Sequence, residues 1–150
     1  MPEADLERID VVRADVARDD GNWLLIDKDE LEVLGSLEML KHAGHVPASL
    51  GVEVLGGDPL GDDPFGGLYV MRADLINGIL ERIPALARWV TEEFDARTLG
   101  LIYPAAMKPW WEDREWAAGI NAQVAAALRE LEAFLEGARA SGRVVVMSIG

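Results

Sequence analysis

The chain has 150 residues, of which 50% are hydrophobic and 27% are charged, a composition that is typical of a globular protein and excludes a disordered or fibrous one. It contains no cysteine, which excludes disulfides, thiolate metal sites and thiol nucleophiles. The net charge is −13, and residues 1–63 carry −11 of it. Such a field repels phosphate groups, so we expect no nucleic-acid partner and no membrane partner, and a basic protein partner is favoured.

Two helices are predicted near the N-terminus. Pro2–Arg18 has apolar residues at helical spacing. Asp27 followed by Glu30 is a capping-box pattern, which predicts a second helix that begins at Lys28 and ends at His42–Gly44, where the glycine can take the left-handed conformation. The first 20 residues are too acidic for a signal peptide, and no apolar run is long enough to span a bilayer. We therefore expect a soluble, cytoplasmic protein.

The segment Gly56–Gly67 combines glycines and prolines with three aspartates, Asp58, Asp62 and Asp63. A calcium loop needs oxygen ligands at alternate positions and a distal glutamate, and this spacing lacks both. A phosphate-binding loop needs a lysine and a hydroxyl after its glycines, and three carboxylates would repel the phosphate. The pattern therefore predicts a region of turns, and a lid over a pocket is the alternative.

The second half of the chain predicts strands and helices in alternation. Leu68–Met71 is strand-like, and the helix Asp74–Arg82 is expected to stop at Pro84, which can itself open a helix that runs to Phe94.

The clearest predicted element is a long amphipathic helix, Glu115–Ala140, which ends at Ser141–Gly142. The β-branched run Arg143–Ile149 follows it and predicts a C-terminal strand buried on both faces. The predicted fold class is therefore α+β: one domain over residues 1–150, in which a small β-sheet packs against several helices.

Two histidines, His42 and His45, are the only candidate nitrogen ligands for a metal, and Gly44 between them argues against a helix that presents both. The serines lack the sequence context of a nucleophile elbow. We expect no metal site and no cofactor.

The stretch between residues 103 and 116 holds the most concentrated unusual chemistry, with three of the five tryptophans within seven residues. Aromatic faces can hold a flat or cationic small molecule while a neighbouring carboxylate acts as acid, base or counter-ion. The candidate binding residues are Tyr103, Trp110, Trp111, Glu112, Asp113, Glu115 and Trp116. Two other interpretations stay open: a tryptophan anchors the start of the long helix while the acids complement its dipole, or exposed tryptophans form an interface with a partner.

Four stretches of the chain form a recognisable pattern: Trp23–Lys28, Gly56–Val70, Phe94–Pro104, and the long helix that continues through Ala138–Arg143 to a valine strand. In these stretches the chain resembles the YfbM-like family, whose bacterial members have no established activity. It departs from the family where acidic residues follow Lys28 in place of tryptophan and histidine, and in having a helix where the family begins with a strand. The resemblance implies an α+β fold and brings no reaction with it.

Two functional hypotheses follow. The first is an acidic protein-interaction module that masks a basic partner such as a toxin, and charge asymmetry supports it. The second is a small enzyme or a binding protein for a secondary metabolite, with a pocket lined by tryptophan and tyrosine and with carboxylate acid–base chemistry.

Overall fold

The computed structural model describes residues 24–60 and 68–148, so the predicted helix Pro2–Arg18 lies outside the described residues. It confirms the mixed α+β class: four α-helices, one 3₁₀ helix and a three-stranded antiparallel sheet are found in the described ranges. The chain divides into two compact units, residues 56–81 with 131–150 and residues 26–55 with 82–130. The prediction of one domain therefore stays a prediction.

Helix α1, Lys28–His42, begins and ends where the sequence predicts. The backbone N–H of Asp27 donates to Glu30 Oε2 at 3.0 Å, which satisfies an amide at the helix entrance. At the other end Gly44 has a φ of 85°, and the N–H of His45 donates to Leu40 O at 2.9 Å. Because Gly44 N–H also bonds Lys41 O, the helix closes in a Schellman motif.

The unit that contains α1 also includes the 3₁₀ helix Ala96–Leu101, the short helix α3, Lys108–Glu112, and the first part of α4, Arg114–Ala140. Its apolar side chains form the larger part of the buried set. Those on the helices lie on the apolar stripe that helical spacing directs inward. The fully buried members include Val33, Leu37, Leu40, Val54, Ile83, Leu86, Val90, Leu99, Val124 and Leu128.

Pro84 does not end a helix. Helix α2 runs without interruption over Ala73–Glu92 with Pro84 inside it, so the prediction of two helices is wrong. A proline removes one backbone hydrogen bond, but the apolar stripe continues on both sides of it through Ile79, Ile83 and Leu86, which are all buried. Burial of that stripe offsets the lost bond, since packing decides helix stability more than propensity does.

The sheet belongs to the other unit and has the order β1-β2-β3, with β1 at Asp58–Leu60, β2 at Leu68–Met71 and β3 at Val145–Ser148. Strand β2 confirms its prediction. Strand β3 pairs with β2 in the register Met71 to Val145. It lies at an edge of the described sheet and its residues 145–147 are only half-buried, so the prediction of a strand buried on both faces is wrong. Partial burial of this kind is expected for a strand of an antiparallel sheet, which can leave one face open to water.

The segment Gly56–Gly67 is described only as far as Leu60, and Asp62, Asp63 and Gly67 lie outside the described residues. Its described part contains β1, a strand that the turn signals hid. Pro59 fits there because β1 is an edge strand in the described sheet, where a missing N–H leaves no ladder bond unmade. The exposed Asp58 carboxylate accepts from Arg72 Nη1 at 3.1 Å.

Helix α4 begins at Arg114, one residue before the predicted start, and ends at Ala140 as predicted. Gly142 has a φ of 63°, and Arg143 N–H donates to Ala138 O at 2.9 Å, so this helix also closes in a Schellman motif. No helix in the described ranges is both long and apolar enough to cross a membrane.

Candidate functional site

The tryptophan-rich segment rests on a 3₁₀ helix that is fixed at its start by one acidic side chain. Asp95 accepts from the Arg97 backbone N–H at 3.0 Å and from Arg97 Nε at 2.8 Å. The hydrogen bond from the Arg97 side chain is the main reason why the pKa of Asp95 lies below its usual value. Arg114 lies near enough to lower that pKa further. The carboxylate therefore anchors the helix in its charged form.

Four of the predicted site residues form one aromatic cluster. Trp111 is 3% exposed and stacks on Tyr103 with ring centroids 5.4 Å apart and planes inclined by 22°. The Trp116 ring is edge-on to Trp111, with ring centroids 4.9 Å apart, and edge-on to Trp110, with ring centroids 6.2 Å apart. Stacked and edge-on geometries are the favourable ones for aromatic pairs. The cluster thus has a buried centre at Trp111 and an outer member, Trp110, which is 62% exposed.

The Tyr103 hydroxyl ties this cluster to helix α1. It donates to Glu32 Oε2, and the Ser36 Oγ lies 2.9 Å from the same hydroxyl oxygen. A tyrosine has one proton to donate, so the serine is the donor to Tyr103 and the carboxylate is the acceptor from it. The link spans 71 positions of the sequence, and neither Glu32 nor Ser36 was among the predicted site residues.

Burial raises the pKa of Tyr103 above its ordinary value of 10.0, and the Glu32 carboxylate raises it further. The folded chain therefore keeps this proton at a pH where the unfolded chain has lost it. The stabilisation is fully present below pH 10.0 and is lost as the pH rises through the folded pKa.

Replacing Tyr103 with phenylalanine is expected to lower the free energy of unfolding by about 1–2 kcal/mol near neutral pH, because two hydrogen bonds are lost and Glu32 keeps its charge without a donor. The difference between wild type and the variant should shrink above about pH 10. Urea unfolding at a series of pH values measures it. A difference that stays constant into strongly alkaline solution would contradict the assigned proton.

The predicted acidic residues divide into a helix cap and two exposed carboxylates. Asp113 Oδ1 accepts from the Trp116 backbone N–H at 2.8 Å, which makes Asp113 the N-cap of α4. Glu112 and Glu115 are exposed. The Glu112 side chain lies against Gly100, where a Cβ would come within 3.1 Å of its Cγ.

Replacing Asp113 with alanine is expected to destabilise the protein by about 1 kcal/mol through loss of the cap, and serine at this position should retain most of that stability. Glu115→Gln is the matched control, since it removes a charge from the same helical turn without removing a cap. Thermal melts compare the three variants. Equal losses for Asp113→Ala and Glu115→Gln would argue against the capping role.

Three apolar side chains in and beside the tryptophan-rich segment are exposed. Leu101 is 63% exposed, Met107 is 40% exposed and Trp110 is 62% exposed. The exposed carboxylates Glu112 and Glu115 lie in the same stretch of sequence, and the Glu112 side chain lies near Gly100, the residue before Leu101. We refer to Leu101, Met107, Trp110, Glu112 and Glu115 as the Trp110 face. Its combination of exposed apolar area and carboxylates differs from the buried side of the cluster.

A separate concavity of about 550 Å³ lies open to solvent between the C-terminal ends of α1 and α2. It is lined by Lys41, Gly44, His45, Val46, Pro47, Ala48, Trp89 and Glu93, and by none of the seven predicted site residues. From the sequence, His45 is considered only as a metal ligand, and Trp89 is simply one residue of the helix predicted to run to Phe94. Within the described residues no group of three or more His, Asp or Glu side chains is arranged to hold a metal.

Comparisons with protein-family models, with curated protein sequences and with solved structures found no match. The resemblance to the YfbM-like family therefore stays a prediction, and the functional conclusion depends on the geometry above.

Proposed function

We propose that the protein is a cytoplasmic interaction module whose Trp110 face binds a basic segment of a protein partner, for example a toxin that it masks. The observation that carries the proposal is the exposure of Trp110 at 62% beside the buried Trp111 at 3%. Tryptophan is among the residue types that are most enriched at binding hot spots. Trp110 is held on a fixed scaffold, and most of its side chain is exposed. That the protein belongs to the YfbM-like family is part of the same proposal, and this membership implies no activity.

The charge of the chain favours a basic partner. The protein carries −13, and the exposed carboxylates Glu112 and Glu115 have no ion-pair partner among the described residues. Arg114 lies between them in sequence, but its charge interacts with Asp95. An arginine or lysine of the partner can place its stem and charge over the Trp110 ring while a carboxylate neutralises it.

A short arginine-rich peptide provides a direct test, with the same peptide carrying citrulline at each arginine as the neutral control. Fluorescence anisotropy should give tighter binding of the arginine peptide. Trp110→Ala is expected to weaken it about tenfold or more, whereas Met39→Ala, which removes a comparably exposed apolar side chain from α1, should leave it unchanged.

The acidic part of the face is tested by salt. Binding of the arginine peptide should weaken as salt rises, and the double variant Glu112→Gln, Glu115→Gln should bind more weakly with a shallower salt dependence. Equal affinity for the arginine and citrulline peptides, or equal effects of Trp110→Ala and Met39→Ala, would overturn the proposal.

A further inference from the structure

We propose that the concavity between the ends of α1 and α2 binds a free α-amino acid with an apolar side chain. The site does not depend on the interaction proposed for the Trp110 face, because the two sets of residues have no member in common. Its volume of about 550 Å³ falls within the range of small-molecule sites and exceeds what one amino acid fills.

The apolar wall of the concavity is fixed by its neighbours. Trp89 is half-buried and packs on Phe94, with ring centroids 5.2 Å apart. The N–H groups of Glu93 and Phe94 both donate to Trp89 O, at 2.8 Å and 3.0 Å, which holds the end of α2. Val46 also lines the concavity and is buried. An indole ring beside aliphatic carbons offers a surface on which an aliphatic or aromatic side chain can pack.

The polar groups of the concavity carry both signs of charge. Lys41 Nζ donates to Leu50 O at 2.8 Å, which fixes the ammonium group and leaves two of its donors without a partner in the described part of the chain. His45 also lines the concavity, and its imidazole ring can donate an N–H. Glu93 is exposed and its carboxylate has no partner within the described ranges.

This charge pattern selects a zwitterion. A ligand that is only anionic would meet the Glu93 carboxylate, and one that is only cationic would meet the Lys41 ammonium, so each would bring one repulsive contact. A molecule with a carboxylate, an ammonium and an apolar side chain can place each group against its complement. The free α-amino acid is the smallest molecule with all three.

L-Phenylalanine is the probe, and its two deaminated or decarboxylated forms, 3-phenylpropanoate and phenethylamine, are the controls. Titration calorimetry should give millimolar binding of phenylalanine, about tenfold tighter than either control. In ¹H–¹⁵N spectra the Trp89 indole resonance should move with the same dissociation constant, while the Trp110 resonance stays in place.

Glu93→Gln should weaken phenylalanine about fivefold or more and leave 3-phenylpropanoate no weaker, whereas Glu92→Gln, a neighbour that does not line the concavity, should change neither. Lys41→Gln should weaken phenylalanine binding too, but it removes both the positive charge and the hydrogen bond to Leu50 O. Lys41→Arg keeps the charge and should bind phenylalanine nearly as well as wild type. Equal binding of phenylalanine and its two controls, no saturable binding, or equal effects of Glu93→Gln and Glu92→Gln would overturn the proposal.

Discussion

Replacing Trp111 with alanine is expected to lower the free energy of unfolding by about 3–5 kcal/mol. The side chain is 3% exposed, stacks on Tyr103 and meets the edge of Trp116, so its removal leaves a cavity and two broken ring contacts. Urea denaturation measures the loss, and a midpoint shift without a change in slope would identify it as a change in stability.

Trp110→Ala is the matched control, since the same residue type is removed from the adjacent position. Its 62% exposure and single edge contact predict a loss within about 0.5–1 kcal/mol. Similar losses for the two variants would contradict the division of the cluster into a buried centre and an exposed face.

Replacing Gly57 with valine is expected to cost more than about 2 kcal/mol, for two reasons that add. Its φ of 148° disfavours any residue with a Cβ, and a Cβ there would lie 2.6 Å from Val70 O. That oxygen belongs to the backbone of β2, paired on both sides, so it cannot move aside without disturbing the sheet.

Gly56→Val separates the two causes. Gly56 has a φ of 144°, but nothing lies within 4 Å of its added Cβ, so only the backbone strain applies. Asp58→Asn changes an exposed side chain and should shift stability by less than about 1 kcal/mol. Thermal melts rank the three variants, and a loss at Gly57 no larger than that at Gly56 would contradict the close approach to β2.

Local signals in the sequence predicted the helix ends well. Asp27 with Glu30 fixed the start of α1, and Gly44 and Gly142 fixed the ends of two helices, because each acts on backbone groups within one turn. Pro84 was misleading because the free energy lost with its missing backbone hydrogen bond is smaller than the free energy gained by burying the apolar stripe on both sides of it. Strand β1 has only three residues and includes a proline, so its existence depends on pairing with β2 and not on its own sequence.

The aromatic cluster could be predicted only as a region. Neighbouring positions on a helix point about 100° apart, so Trp110 and Trp111 must face different surroundings. Which of the two is buried depends on the elements packed around the helix, and the local sequence does not give their positions. The contacts of Tyr103 with Glu32 and Ser36 join segments far apart in sequence, where no spacing rule applies. The same is true of the concavity, which joins Lys41 and His45 to Trp89 and Glu93.

The binding role of the Trp110 face is tested most directly by following the tryptophan indole N–H resonances of ¹⁵N-labelled protein during titration with the arginine-rich peptide. A bound cation over an exposed ring changes the field at that ring, whereas Trp111 is only 3% exposed and is closed to the peptide. We predict that the resonance of Trp110 moves most, that of Trp116 moves less, and those of Trp111 and Trp89 stay in place. Saturable binding of the peptide with no movement of the Trp110 resonance would contradict the account.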